Sequence, residues 1–336
     1  MPVQQTDYDK LDAARWMAAL AVVLLHCAAF PLTSVSDYGS TDWEWANFYD
    51  AATRWCVPVF VMISGALLLN PGKREAFRNF YQRRAMRIAP AIVFWSAFYL
   101  LWGALMYHLD GVPMDAAAWL RKATSGVPYY HLWYLYMLAG LYLFAPYLRT
   151  IYQRCSHRQR VAAVLAIFVL AILQTLHREL NAEGYGFFLT WFLPYISYFL
   201  AGRMMFEGEL RLPRPGLLLC ATIAMTAIGA SVLSSADALN VYFYDTFSLT
   251  VPLMSLAVFQ LILNARSLPR LPAIAPLTFG IYLAHPIFLD IAKRTGLYLP
   301  TSGTAWQTPL AAVAIFALSM GLVQLLRRVP GGTLVT

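Results

Sequence analysis

Ten stretches of the sequence are apolar over lengths that can cross a lipid bilayer: residues 11–31, 48–69, 89–108, 131–148, 161–177, 187–206, 217–233, 241–263, 274–291 and 308–326. One span takes about 20 apolar residues, so ten use about 200 positions of a 336-residue chain and leave only short loops. The composition agrees, at 60% apolar and 12% charged with a mean hydropathy of +0.55. Soluble domains run at roughly half and a quarter. A cytosolic enzyme, a disordered chain, a coiled coil and a disulfide scaffold are excluded. The expected fold is all-α, a polytopic membrane protein built as a bundle of about ten transmembrane helices in one domain over 1–336. No internal repeat is visible, which argues against an inverted-repeat transporter.

Lysine and arginine set the expected orientation. Lys73, Arg74, Arg78, Arg83, Arg84 and Arg87 lie between the second and third runs, and Arg149, Arg154, Arg158 and Arg160 between the fourth and fifth. Arg203, Arg211 and Arg214, then Arg266 and Arg270, then Arg327 and Arg328 follow at every second connection. The alternate loops are poorer. Residues 34–47 hold Asp37, Asp42 and Glu44 without a Lys or Arg. The count puts the basic loops and both termini in the cytoplasm, with Lys293 and Arg294 as one awkward pair outside. The net charge of +8 (25 basic, 17 acidic) then reports topology, and no nucleic-acid partner is expected. The first run is not a cleaved signal, because Asp7, Asp9 and Lys10 precede it and Asp12, Arg15 and His26 lie inside it. Cys27, Cys56, Cys155 and Cys220 lack ligand spacing. They read as small core residues, with no metal site.

Ionisable residues inside spans are costly and mark function by default. Arg15 and His26 are eleven residues apart, which puts them within about 20° of one helical face and about 16 Å apart along the axis. Asp12, three residues before Arg15, can pair with it. His26 suits either an interhelical hydrogen bond or catalysis. Arg54 opens the second-run motif Val57-Pro58-Val59-Phe60, which ends in Ser64-Gly65. Pro58 can kink that helix, and Ser64-Gly65 allows close backbone approach. Arg84 and Arg87 share a face at the cytoplasmic interface, suited to phosphates or to anionic lipid. His131 and Trp133 stand at the outer entry of the fourth run, where aromatic belts also occur. His285 lies near the middle of the ninth run, deep enough to meet His26, with Pro286 behind it to free a carbonyl.

In this order the segments resemble the acyltransferase-3 family of integral membrane acyltransferases. The match runs from Arg15 and His26 (R-x10-H), through Val57–Phe60 to Ser64-Gly65 and the R-x-x-R of Arg84 and Arg87. It continues with His131-Leu132-Trp133-Tyr134 and ends at Ile281-Tyr282-Leu283-Ala284-His285. Arg54 and the first-loop tryptophans stand where some members have a glycine-rich lead-in. The resemblance implies one ten-helix transmembrane acyltransferase domain, of the short bacterial surface-glycan O-acetyltransferase type, multi-pass in the bacterial inner membrane. It implies transfer of an acyl group, most often acetyl, to a hydroxyl of a cell-surface or lipid-linked carbohydrate outside. Cytoplasmic acetyl-CoA is the co-substrate, and no cofactor is tightly bound.

The chemistry can be assembled from the residues. A hydroxyl attacking a thioester needs a base, and an imidazole with an ordinary pKa of about 6.5 suits the task; His26 is the expected base. Asp12 orients Arg15, and Arg15 holds a donor phosphate or stabilises charge. Arg84 and Arg87 meet the nucleotide phosphates of CoA. His285 serves as proton relay or oxyanion donor. Arg54, His131 and Trp133 are assigned to the acceptor. Direct attack and an acyl-histidine relay both remain open. A transporter would also need opposed faces and polar intramembrane residues, but it has no reason to turn over a CoA thioester. A membrane scaffold would survive loss of His26.

Overall fold

The computed structural model describes residues 5–34, 38–72, 75–112, 115–181, 187–234, 238–269, 271–299 and 303–336. Asp37, Lys73, Arg74 and Arg270 of the charge pattern lie outside them. Each apolar run forms or contains helix. In chain order the helices are α1 (Gln5–Ser34), α2 (Thr41–Thr53), α3 (Cys56–Leu68), α4 (Phe77–Leu109), α5 (Ala116–Thr124), α6 (Trp133–Arg154), α7 (His157–Asn181), α8 (Phe192–Phe206), α9 (Pro215–Leu233), α10 (Val251–Asn264), α11 (Thr278–Arg294), α12 (Thr304–Leu326) and the short α13 (Gly332–Val335). No strand occurs among the described residues.

Among the described residues seven segments are long and apolar enough to cross a membrane: α1, α2 with α3, α4, α7, α9, α11 with its 3-10 lead-in, and α12. The other three of the ten runs hold α6, α8 and α10. Helix α6 has the length, 22 residues, but carries five tyrosines and two arginines. Helices α8 and α10 have 15 and 14 residues, and 14 residues of helix span only about 21 Å.

The connections fall at two opposite ends. At the basic end Lys10 of α1 donates to the Leu263 carbonyl of α10 (2.7 Å), Arg160 of α7 pairs with Glu209 after α8 (2.8 Å), and Arg327 donates to the Pro276 carbonyl (2.7 Å). Two arginines counted as loop charges are instead buried structural donors. Arg149 Nε reaches the Leu68 carbonyl (2.9 Å) and Arg203 Nη1 the Ala66 carbonyl (2.8 Å). They satisfy the last carbonyls of α3, which have no intrahelical partner. At the opposite end Asp42 accepts from the Thr304 amide (2.7 Å), and Glu44 from Ser231 (2.7 Å). The acidic first loop thus ties α2 to α12 and α9. Lys293 and Arg294 do lie at this end, where Arg294 pairs with Asp110 (2.7 Å).

Helix α1 occupies the centre because its sequence is small-sided. Ala14, Ala18, Ala19 and Ala28 are fully buried, and such residues let neighbouring helices approach. It packs against α2, α3, α11 and α12. Helices α3 and α8 make the tightest crossing. A Cβ at Gly65 would stand 1.8 Å from the Phe199 carbonyl oxygen, and one at Gly202 would stand 2.1 Å from that of Met62.

Two expectations need correction. The second run is not one kinked helix: it breaks at Arg54-Trp55, and Pro58 lies in the first turn of α3, where a missing amide hydrogen costs nothing. The eighth run is helical only from Val251. Before it, residues 242–244 make a 3-10 turn and 245–250 are unwound. Asn240 Oδ1 accepts from the Tyr242 amide (3.0 Å) and Asp245 Oδ1 from the Phe247 amide (2.8 Å). These local side-chain bonds compete with helix, and Pro252 favours a helix start at Val251. The short α5, capped by Asp115, lies in a loop where the sequence suggested none. Replacing Gly65 or Gly202 with Val should force α3 and α8 apart. The expected result is a loss of several °C in thermal unfolding of the detergent-purified protein, while Ser64→Ala stays near wild type.

Candidate active site

Three imidazoles from three parts of the chain meet in the middle of the bundle. His26 comes from α1, His285 from α11, and His131 from the turn that opens α6. The rings of His26 and His285 stack with centroids 5.1 Å apart, and those of His131 and His285 are 5.6 Å apart and nearly perpendicular. His131 and His285 are fully enclosed and His26 is half-buried. The depth expected for His285 is the depth at which it meets His26. His131, expected at the outer rim, is inside. Its signal in the sequence was indistinguishable from an aromatic belt.

Backbone chemistry fixes His285. Pro286 has no amide hydrogen and so leaves a carbonyl of the preceding turn, that of Tyr282, without its helical donor. His285 Nδ1 lies 2.7 Å from that carbonyl. A carbonyl only accepts, so Nδ1 carries the proton and the neutral ring presents a bare lone pair at Nε2. Nε2 is buried with no hydrogen-bond partner among the described residues. In this tautomer the neutral His285 ring can accept a proton at Nε2. Tyr99 donates to the Leu283 carbonyl (2.7 Å) and the Tyr282 hydroxyl to the His131 carbonyl, locking α4, α6 and α11 around the rings. Asp290, on α11, accepts from both Trp102 and the Tyr129 hydroxyl. Burial and that neighbouring carboxylate push the Tyr129 hydroxyl's pKa up. The next residue, Tyr130, lies edge-on to His26 at 5.0 Å.

From the basic end a cavity of about 400 Å³ rises toward this cluster. Arg15, Arg84 and Arg87 line it, with Ser64, and Tyr134 and Tyr282 also face it. The Tyr282 ring is 5.4 Å from His131 and 6.0 Å from His285, so one aromatic layer separates cavity and imidazoles. Asp12 and Arg15 form the expected ion pair. Arg84 lies over Phe80 and Tyr142, and neither it nor Arg87 meets a carboxylate among the described residues. Ser64 spends its hydroxyl on the Phe60 carbonyl (3.0 Å).

On the opposite side Arg54 and Trp133 line a second cavity, of about 460 Å³; His131 is not among its walls. Arg54 is fully engaged by the buried Asp50, the Tyr244 carbonyl (2.9 Å) and the Tyr244 ring. No metal-binding group of His, Cys, Asp and Glu occurs among the described residues. The Cys27 and Cys56 thiols are free and buried, and Cys220 is exposed.

A buried imidazole centre between an arginine-lined cavity and an aromatic one makes a candidate active site inside a polytopic helical bundle. The chain matches the acyltransferase-3 family model, an acyltransferase domain, over residues 8–328, and it belongs to that family. It is therefore a membrane acyltransferase. No curated protein and no solved structure matches it.

Pro286→Ala tests the tautomer argument. It restores an amide hydrogen that competes with His285 for the Tyr282 carbonyl. Melting temperature should hold or rise, since an interior proline costs about 3 kcal/mol, while acyl turnover falls about tenfold through lost orientation of the ring. Unchanged turnover would refute the role given to that carbonyl.

Proposed function

We propose that this acyltransferase moves an acetyl group from cytoplasmic acetyl-CoA to a hydroxyl of a cell-surface or lipid-linked carbohydrate, across the inner membrane of a bacterium. The observation that carries the reading is the inner cavity: guanidinium groups at its mouth, an aromatic layer at its end, and the three imidazoles just beyond. CoA offers that sequence of chemistry, with phosphates at one end and a slender thioester arm at the other. Arg84 and Arg87 hold its phosphates, where bidentate charge-assisted bonds are strong. Arg15, oriented by Asp12, neutralises charge further along the same wall. Lys and Arg counts support donor entry from the cytoplasm.

His26 is the base. It takes the proton of the acceptor hydroxyl as the oxygen attacks the thioester carbonyl. The C–S bond breaks, and the CoA thiolate leaves and takes that same proton from the His26 imidazolium. His285 Nε2 is the second acceptor for the proton on its way from His26 to the thiolate. Direct attack needs no covalent enzyme intermediate. Arg54, His131 and Trp133 act on the acceptor side, Trp133 in the outer cavity, Arg54 as part of its wall, and His131 beneath.

Purified protein in lipid, given labelled acetyl-CoA, tests the assignment. His26→Ala should bind the thioester with unchanged affinity and lose about 10²–10⁴-fold in turnover, the usual contribution of a general base. Arg84→Ala/Arg87→Ala should bind it roughly 10- to 100-fold more weakly, since each tenfold corresponds to about 1.4 kcal/mol. Folded wild type that does not bind acetyl-CoA overturns the reading.

A further inference from the structure

The donor account leaves the outer cavity unexplained, and three features of its walls say what it holds. The first is backbone. The run expected to be helical from residue 241 is unwound over 245–250, and Asp245, Thr246 and Phe247 of that stretch line the cavity. Non-helical backbone at membrane depth persists where it is buried in protein or lines a polar cavity. Here it is held open: the Tyr198 hydroxyl donates to the Thr246 carbonyl (2.7 Å) and Arg54 to that of Tyr244.

The second feature is charge. Both guanidinium groups in the wall are already matched, Arg54 by Asp50 and Arg178 by Asp245 (2.9 Å). Asp245 is itself held by the Phe247 amide. An anionic ligand would compete with these carboxylates, and a cation would find no unmatched one. The third feature is surface chemistry. Trp133, Trp191 and Tyr195 offer aromatic walls; Gln174 and Thr175 offer groups that both donate and accept, and the Thr190 hydroxyl, which donates to the Phe187 carbonyl, offers an acceptor. A lipid chain alone would leave those polar groups unanswered. A sugar ring meets both kinds of wall, with its C–H face on the aromatics and its hydroxyls on the amide and hydroxyl groups.

We propose that the outer cavity between α6, α7, α8 and the unwound segment binds an uncharged sugar ring of the acceptor glycan. This rests on the carbohydrate-acceptor reading above and adds where the glycan is held and its charge. The rim includes exposed Gln174 and Leu193, so the glycan reaches it from the outer side, either on a lipid carrier or as free polymer.

The test fills the cavity without removing a polar group. Ala171 is buried on its α7 wall, so Ala171→Phe adds a ring there. Leu170→Phe, one position along on the exposed face of α7, is the control. Cells lacking the gene are complemented with each form, and O-acetyl groups are mapped by NMR and mass spectrometry on lipid-extracted and high-mass glycans separately. Ala171→Phe should lower gene-dependent O-acetylation at least about tenfold, with acetyl-CoA affinity of the purified variant unchanged; Leu170→Phe should match wild type. Should Ala171→Phe lose acetyl-CoA binding through misfolding, Leu193→Trp at the exposed rim decides by the same readout. Full O-acetylation with the cavity filled overturns the site, and acetyl found on acidic sugars overturns its neutrality. Acetyl in the lipid-extracted fraction identifies a lipid-linked source, and acetyl only at high mass identifies free polymer. Wild type that adds no O-acetyl to any glycan overturns the acceptor reading itself, a result distinct from failure of the cavity.

Discussion

Hydrocarbon supplies no hydrogen bonds, so wherever this chain leaves the regular α-helix inside the bundle a named group has to satisfy the backbone. Three such places matter. The break at Arg54-Trp55 and the unwound stretch at 245–250 are stitched together by Arg54 on the Tyr244 carbonyl and Tyr198 on the Thr246 carbonyl. The Pro286 defect is answered by His285 on Tyr282, with Tyr99 on the adjoining Leu283 carbonyl. Each irregularity borders a cavity or an imidazole. Regular helix supplies the other polar walls, Arg15 from α1 and Arg84 and Arg87 from α4 in the inner cavity, and Gln174, Thr175 and Arg178 from α7 in the outer one. The departures from helix thus shape a site that the regular helices line.

The same accounting separates the arginines. Arg149 and Arg203 finish the carbonyl end of α3, Arg160 holds Glu209, Arg83 holds Glu75, and Arg327 holds Pro276. A positive-inside loop and a ligand cradle look alike in sequence because both are clusters of guanidinium. Pairing and position together separate them. Arg84 and Arg87 remain without a carboxylate among the described residues, and both line the inner cavity. Electrostatic work that the fold does not consume is available to a ligand.

How much of this could be read in the sequence depended on period and cost. The ten apolar runs were legible because bilayer thickness imposes a length, and the Arg15–His26 stripe because helical geometry imposes a face. The meeting of His26 and His285 followed from depth along two spans. His131 was not legible: an imidazole two residues before a Trp at a span's outer entry has the same local pattern whether it faces headgroups or the core. The unwinding before Val251 was also hidden, because an apolar run with Tyr, Phe and Thr scores alike as helix or as buried irregular backbone. Asn240, Asp245 and Pro252 carried the signal, through side-chain turns and a preferred helix start. Ser64-Gly65 was read as a close-approach site, and only its partner, the backbone of α8 at Phe199, came from the structure.

The first turn of α6 lies where the two cavities and the imidazoles come closest together. Trp133 faces the outer cavity and Tyr134 the inner one, with ring centroids 6.4 Å apart and planes at 90°. His131, two residues earlier, lies against His285. Three consecutive functions of the proposed reaction, holding the acceptor, closing the donor arm and contacting the proton acceptors, thus hang on four residues of one turn. That turn is anchored from both sides, by the Tyr282 hydroxyl on the His131 carbonyl and by the Asp290–Tyr129 bond just before it. Aromatic rings lie between the inner and outer cavities, so in the proposed reaction a thioester reaching the centre meets the glycan hydroxyl in preference to water. On that proposal transfer over hydrolysis is a property of the partition, which the register of α6 against α11 maintains.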